Sequence, residues 1–118
     1  MKYVVLIYSN PATWAALPPE VADGVIADHF KMIRELNDSG EMVSQFGLAD
    51  ASNTKTMRID NRIPVVTDGP FGEAKEQLAG VFVVDVEGLD RALEISRPLA
   101  QYSVVEVRPV MEDAGTEM

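Results

Sequence analysis

The sequence predicts an α+β sandwich, with two helices laid against one face of an antiparallel sheet. Three observations carry that expectation. Runs rich in valine, isoleucine and aromatic residues, "KYVVLIY", "MVSQFGL", "GVFVVDV" and "SVVEVRPV", read as strands. Two stretches with the helical apolar period fall between them, from Pro19 and from Leu89. The resulting order (strand, helix, strands, strand, helix, strand) is the split βαβ pattern of a ferredoxin-like sandwich, here with an added β-hairpin.

Each element has its own signals. The first strand spans Lys2 to Tyr8 and is apolar on both faces. "SNPATWAALPPE" reads as a loop, because Asn10-Pro11 and Pro18-Pro19 break regular structure. A helix from Pro19 to Ser39 follows, with proline at its first position and Glu20 in its first turn. Gly40 supplies the left-handed residue that ends it. "MVSQFGL" gives a second strand. "TKTMRID" and "RIPVVTD" form the hairpin, joined at Asp60-Asn61. Gly80 to Val86 is a further strand, and "LDRALEISRPLA" a second, shorter helix that Pro98 ends. Ser103 to Val110 closes the sheet. Residues 1–111 therefore read as a single domain, and 112–118 as a frayed polar tail.

Composition narrows the function. The chain has 118 residues, 47% of them apolar, which suits one domain with a core of its own. A net charge of −9 and the lack of a basic stripe argue against nucleic-acid binding. No cysteine is present, so disulfides, thiolate chemistry and cysteine metal sites are excluded. One histidine without cysteine also argues against zinc or any other metal. Phosphate-cradling glycine loops, dinucleotide fingerprints and serine-hydrolase spacing are missing, so no cofactor is expected. The apolar start is too short for a signal peptide or a membrane span, which suggests a soluble cytoplasmic protein without a membrane partner.

Two strands are apolar on both faces, and two helices cover only one face of a sheet. The other face needs a partner, most simply a second copy packed sheet to sheet.

The only histidine, His29, falls near the middle of the apolar stripe Val21, Val25, Ile26, Met32, Ile33, Leu36. It therefore points toward the sheet. A core imidazole satisfied by a carbonyl or a water is one reading; a proton carrier is the other. Asp68 ends a buried strand at "DGPF". It is good turn chemistry, and it is also placed to meet His29 as a carboxylate holding one ring nitrogen. Glu106 and Arg108 share a face of the last strand; they pair with each other, or Arg108 holds an anionic substrate. The run Glu73 to Leu78 reads as a solvated face. Trp14 belongs to the proline-rich loop, as part of its surface or as a lid.

"MKYVVLIY", "VTDGPFGEAKEQLAGVFVVDV" and "VEVRPVM" together resemble the YCII-related proteins, in the branch marked by its Asp-Gly-Pro-Phe motif. The likeness runs from Met1 to about Met111. It implies the dimeric α/β barrel fold, in which two ferredoxin-like sandwiches join sheet to sheet. It also implies a cleft in each subunit with a His–Asp pair, matched here by His29 and Asp68, and a loose link to sigma factors. Phe71 of the motif would cap the cleft or the dimer seam, and Tyr8 and Arg108 would contact a small organic substrate. The first expectation is an acid–base enzyme acting on a small molecule. The alternatives are a non-catalytic binding or regulatory module, and a pocketless dimer with a structural His29.

Overall fold

The computed structural model describes residues 1–72 and 74–111; Glu73 and the expected tail at 112–118 lie outside the described residues. The chain forms strand β1 (Lys2–Ser9), helices α1 (Pro11–Ala15) and α2 (Pro19–Ser39), strands β2 (Met42–Gly47), β3 (Lys55–Asp60), β4 (Ile63–Asp68) and β5 (Gln77–Asp85), helix α3 (Leu89–Ser96) and strand β6 (Val104–Pro109).

The sheet order is β2-β5-β1-β6, all neighbours antiparallel. This is the ferredoxin-like arrangement: the two central strands are the apolar ones, β1 and β5. Register places Val5 beside Phe82 and Val107, and Tyr3 beside Val84. These residues point to the helices, where Tyr3, Val84 and Val107 meet Leu36, Ala92 and Ile95 in the core. Phe82, Val5 and Val84 are fully enclosed. At about 1.5–3 kcal/mol for each large apolar side chain, this small cluster supplies much of the fold's drive. Val4, Leu6, Val81 and Val83 point to the opposite face, which carries no helix.

Helix α2 runs from Pro19 to Ser39 as its capping signals require, and Gly40 takes the left-handed conformation at φ 81°. It sits unevenly, with Leu36 near its C-terminal end as its buried residue. Val25, His29 and Met32 are half-buried, while Ile26 and Phe30 remain 47% and 56% exposed. The apolar stripe is therefore wider than the surface it covers. An ion pair fixes the C-terminal end of α2 against α3. Arg91 donates to both Glu41 carboxylate oxygens at 2.8 Å and also engages Glu94. Ser39 Oγ donates to Glu41 at 2.8 Å.

Four expectations need correction. The segment after β1 is not all loop, because α1 occupies Pro11–Ala15. Asn10 caps it by accepting from the Ala12 amide at 2.9 Å, so Asn-Pro acts as a helix start rather than a breaker. Helix α3 ends at Ser96, two residues before Pro98, and continues as a 3-10 turn over Arg97–Gln101. Strand β4, read as buried, is exposed along its whole length. With β3 it forms a separate two-stranded sheet, here called the arm. Its turn is centred on Asn61 and Arg62, at φ 50° and 68°, one residue later than Asp60-Asn61. No helix of the described chain is long and apolar enough to cross a membrane.

Candidate functional site

The uneven seating of α2 opens a cleft on the helix side of the sheet. It is a cavity of about 710 Å³ bounded by α2, by α3 and the 3-10 turn, and by the ends of β1, β2 and β5. Its wall is largely apolar, built from Ile7, Phe82, Ile95 and Leu99, with Phe30 and Trp14 at its side. Trp14 is brought there by α1 and is half-buried, so it is a wall of the cleft. A space of this size and character suits a small organic molecule.

His29 faces the cleft from α2. Its ring centroid lies 5.4 Å from that of Phe82, tilted by 41°, and 6.0 Å from that of Phe30, edge to face. The sheet-facing orientation follows from helical spacing, and the open cleft leaves the ring half-buried instead of sealed. Burial lowers the imidazole's pKa below its ordinary 6.5, so the neutral form dominates at neutral pH. Among the described residues no side chain or backbone group hydrogen-bonds the ring. It therefore has both an acceptor and a donor nitrogen to offer a ligand.

The cations at the rim are engaged by carboxylates. Arg91 is held by Glu41 and Glu94, and Lys31 lies 3.9 Å from Glu35. At the sheet end of the cleft, Ser9 and Ser103 place their hydroxyls 3.4 Å apart, and Gln45 also lines the wall. Sequence reasoning missed these three. Their signal is positional: Ser9 ends β1 and Ser103 precedes β6, but only the strand register shows that they meet.

Asp68 sits elsewhere. It ends β4 at the root of the arm, where its carboxylate takes a hydrogen bond from Lys55 and is 87% exposed. Gly69 then turns the chain at φ 88°, with its amide donating to the Thr54 carbonyl at 2.8 Å and its own carbonyl accepting from Thr56 at 2.7 Å. Within one chain the structure does not bring Asp68 to His29. Phe71 lies at the same root, exposed, with the Arg58 guanidinium 4.8 Å from its ring centre. Tyr8 and Arg108 lie on the helix-free face of the sheet, opposite Val104 and Val4 respectively. There the Glu106 carboxylate, acting chiefly as a hydrogen-bond partner, raises the Tyr8 phenol. Among the described residues no three His, Asp or Glu side chains cluster as metal ligands.

A ferredoxin-like α+β chain with a lone imidazole in an apolar cleft defines the class: a small domain with one candidate small-molecule site. The YCII-related domain matches residues 1–113, and the chain belongs to that family. It is 32% identical over 114 residues to the uncharacterized protein R00369 of Rhizobium meliloti (strain 1021), across 93% of this chain and 92% of that one. Among solved structures it is similar to 5-chloro-2-hydroxyhydroquinone dehydrochlorinase (TftG) from Burkholderia phenoliruptrix AC1100, in complex with 2,5-dihydroxybenzoquinone. The TM-score is 0.56 at 10% identity, over 97% of each chain, which is a likeness of fold alone.

Proposed function

We propose that the protein is a homodimeric enzyme of the dimeric α/β barrel type that moves a proton on a small, largely apolar organic molecule, with His29 as the proton carrier. The observation that carries this reading is the half-buried, neutral imidazole tilted against Phe82 and open to a 710 Å³ apolar cleft. A neutral ring at neutral pH is a competent general base. With the rim cations already engaged by carboxylates, the cleft favours a neutral compound with an acidic proton, such as a hydroxylated ring, over a carboxylate. The TftG ligand is a hydroxylated ring, though a more acidic one, and the fold likeness makes it a probe to include.

Asp68 is assigned the charge-balancing role toward protonated His29. Its bond to Lys55 is exposed and worth no more than about 1 kcal/mol, so the carboxylate can be redirected in the dimer. Tyr8, Arg108 and Phe71 then belong to the dimer seam. The uncovered apolar face of β1 and β5 supports a sheet-to-sheet dimer, because such a face is stable in water only when packed.

The test is a panel of hydroxylated aromatic compounds, with 2,5-dihydroxybenzoquinone among them, titrated against wild type and His29→Gln. Saturable binding by wild type, with conversion of a bound compound abolished in His29→Gln, supports the enzyme. Binding without conversion by either form favours the second reading, a non-catalytic binding module. The lack of an orienting partner on the His29 ring is what keeps that reading alive.

A further inference from the structure

The β3–β4 arm is the least explained part of the molecule. Its antiparallel register, Met57 beside Val66 and Ile59 beside Pro64, puts four apolar residues on one face. That face is turned to solvent: Met57 is 67% and Ile59 68% exposed. A lone two-stranded hairpin is at best marginally stable in water, and an apolar face makes it less so. The arm therefore needs a surface to lie on.

Two observations point to a second copy of this chain, and to one place on it. The first is charge. The arm is the basic part of an acidic protein, with Lys55, Arg58 and Arg62 against Asp60 and Asp68, in a chain of net charge −9. Helix α2 has the opposite balance, with five acidic residues against Lys31 and Arg34. The second is apolar complementarity. Ile26 and Phe30 of α2 are exposed, and they border the His29 cleft beside Asp28. An arm laid there would cover both its own apolar face and theirs, and would bring a hairpin of net positive charge to an acidic helix. Reach permits it, since six-residue strands extend about 20 Å, against roughly 10 Å across stacked sheets and roughly 10 Å more to the partner's helix layer.

We infer that the arm of one copy crosses the dimer seam and roofs the His29 cleft of the other, so that each site is complete only in the dimer. This rests on the dimer proposed above, and the test separates the two. A photo-crosslinking phenylalanine analogue is placed at position 59 of the full chain, where exposure makes it harmless to the fold; position 57 serves as a second variant. Irradiation is expected to give a product of twice the 12.9 kDa chain mass, with the crosslink mapping to residues 19–39 of the other copy. Val66→Asp, on the same face of the arm and combined with the analogue at position 59, is expected to abolish that product and, without the analogue, to weaken binding of the probe compounds at least tenfold. A protein that is dimeric by light scattering but crosslinks only within one chain, or to any surface other than α2, overturns the arm and leaves the dimer standing. A monomer by light scattering overturns both.

Discussion

His29 is placed by two opposing influences. Helical spacing points it at the sheet, and the cleft beside the N-terminal half of α2, where no residue is fully buried, keeps it from being sealed in. Burial disfavours the imidazolium, so its NMR titration midpoint is expected below the ordinary 6.5. The sign for stability follows. The unfolded chain binds the proton first as pH falls, so the contribution is whole above about 6.5 and is lost as pH drops through the lower folded value. Activity falls over the same window, as the base becomes protonated. Asp68→Asn is expected to lower the His29 midpoint further if the two meet in the dimer; an unchanged midpoint removes Asp68 from the site. Glu41 gives an independent check. The hydrogen bonds from Arg91 hold its pKa down at about 2 from an ordinary 4.5. Its stabilisation is therefore full above about pH 4.5 and lost as pH falls through about 2. Arg91→Met is expected to cost about 1–2 kcal/mol at pH 7, after allowing for solvent screening at the pair, and to flatten that acid limb in urea titrations across pH.

At the scale of elements, local backbone chemistry decides what can be changed. Gly40→Ala meets no neighbouring atom within 4 Å, yet φ 81° strains any side chain, so a loss of about 1 kcal/mol is expected by denaturant unfolding. Arg62→Gly is expected to do the reverse in the arm. Asn61 and Arg62 both take left-handed angles, and Asn-Gly is the preferred pair for such a turn, so slower amide exchange across β3 and β4 would register the gain. The elements themselves were largely legible in the sequence. The α2 limits and its Gly40 cap follow from local signals, as do the four sheet strands. The errors came where one signal has two meanings. Asn10-Pro11 both breaks a strand and starts a helix. The alternating residues of β3 and β4 declare a hairpin, but nothing local says which sheet it joins, so β4 was read as buried. The site was half legible for the same reason. The direction of His29 is a matter of helical period, whereas the meeting of Ser9 with Ser103, and the distance of Asp68 from the cleft, depend on register and on the arm's departure from the body.

The whole chain, 49 × 44 × 18 Å, is flat for its size, with apolar residues on the helix-free face of its sheet and on its arm. For the proposed dimer, light scattering at micromolar concentration is expected to give twice the chain mass of 12.9 kDa. Dilution that produces stable, folded monomers would contradict the dimer. The central claim, however, concerns the cleft, and the single histidine lets one spectrum address it without assignment ambiguity. The decisive measurement is proton NMR of the His29 ring during titration with 2,5-dihydroxybenzoquinone and the related hydroxylated compounds. The account predicts that at least one compound shifts the ring resonances saturably and displaces the His29 titration midpoint. Ring resonances that stay fixed through millimolar additions of every compound, in a protein that remains folded and dimeric, would contradict it.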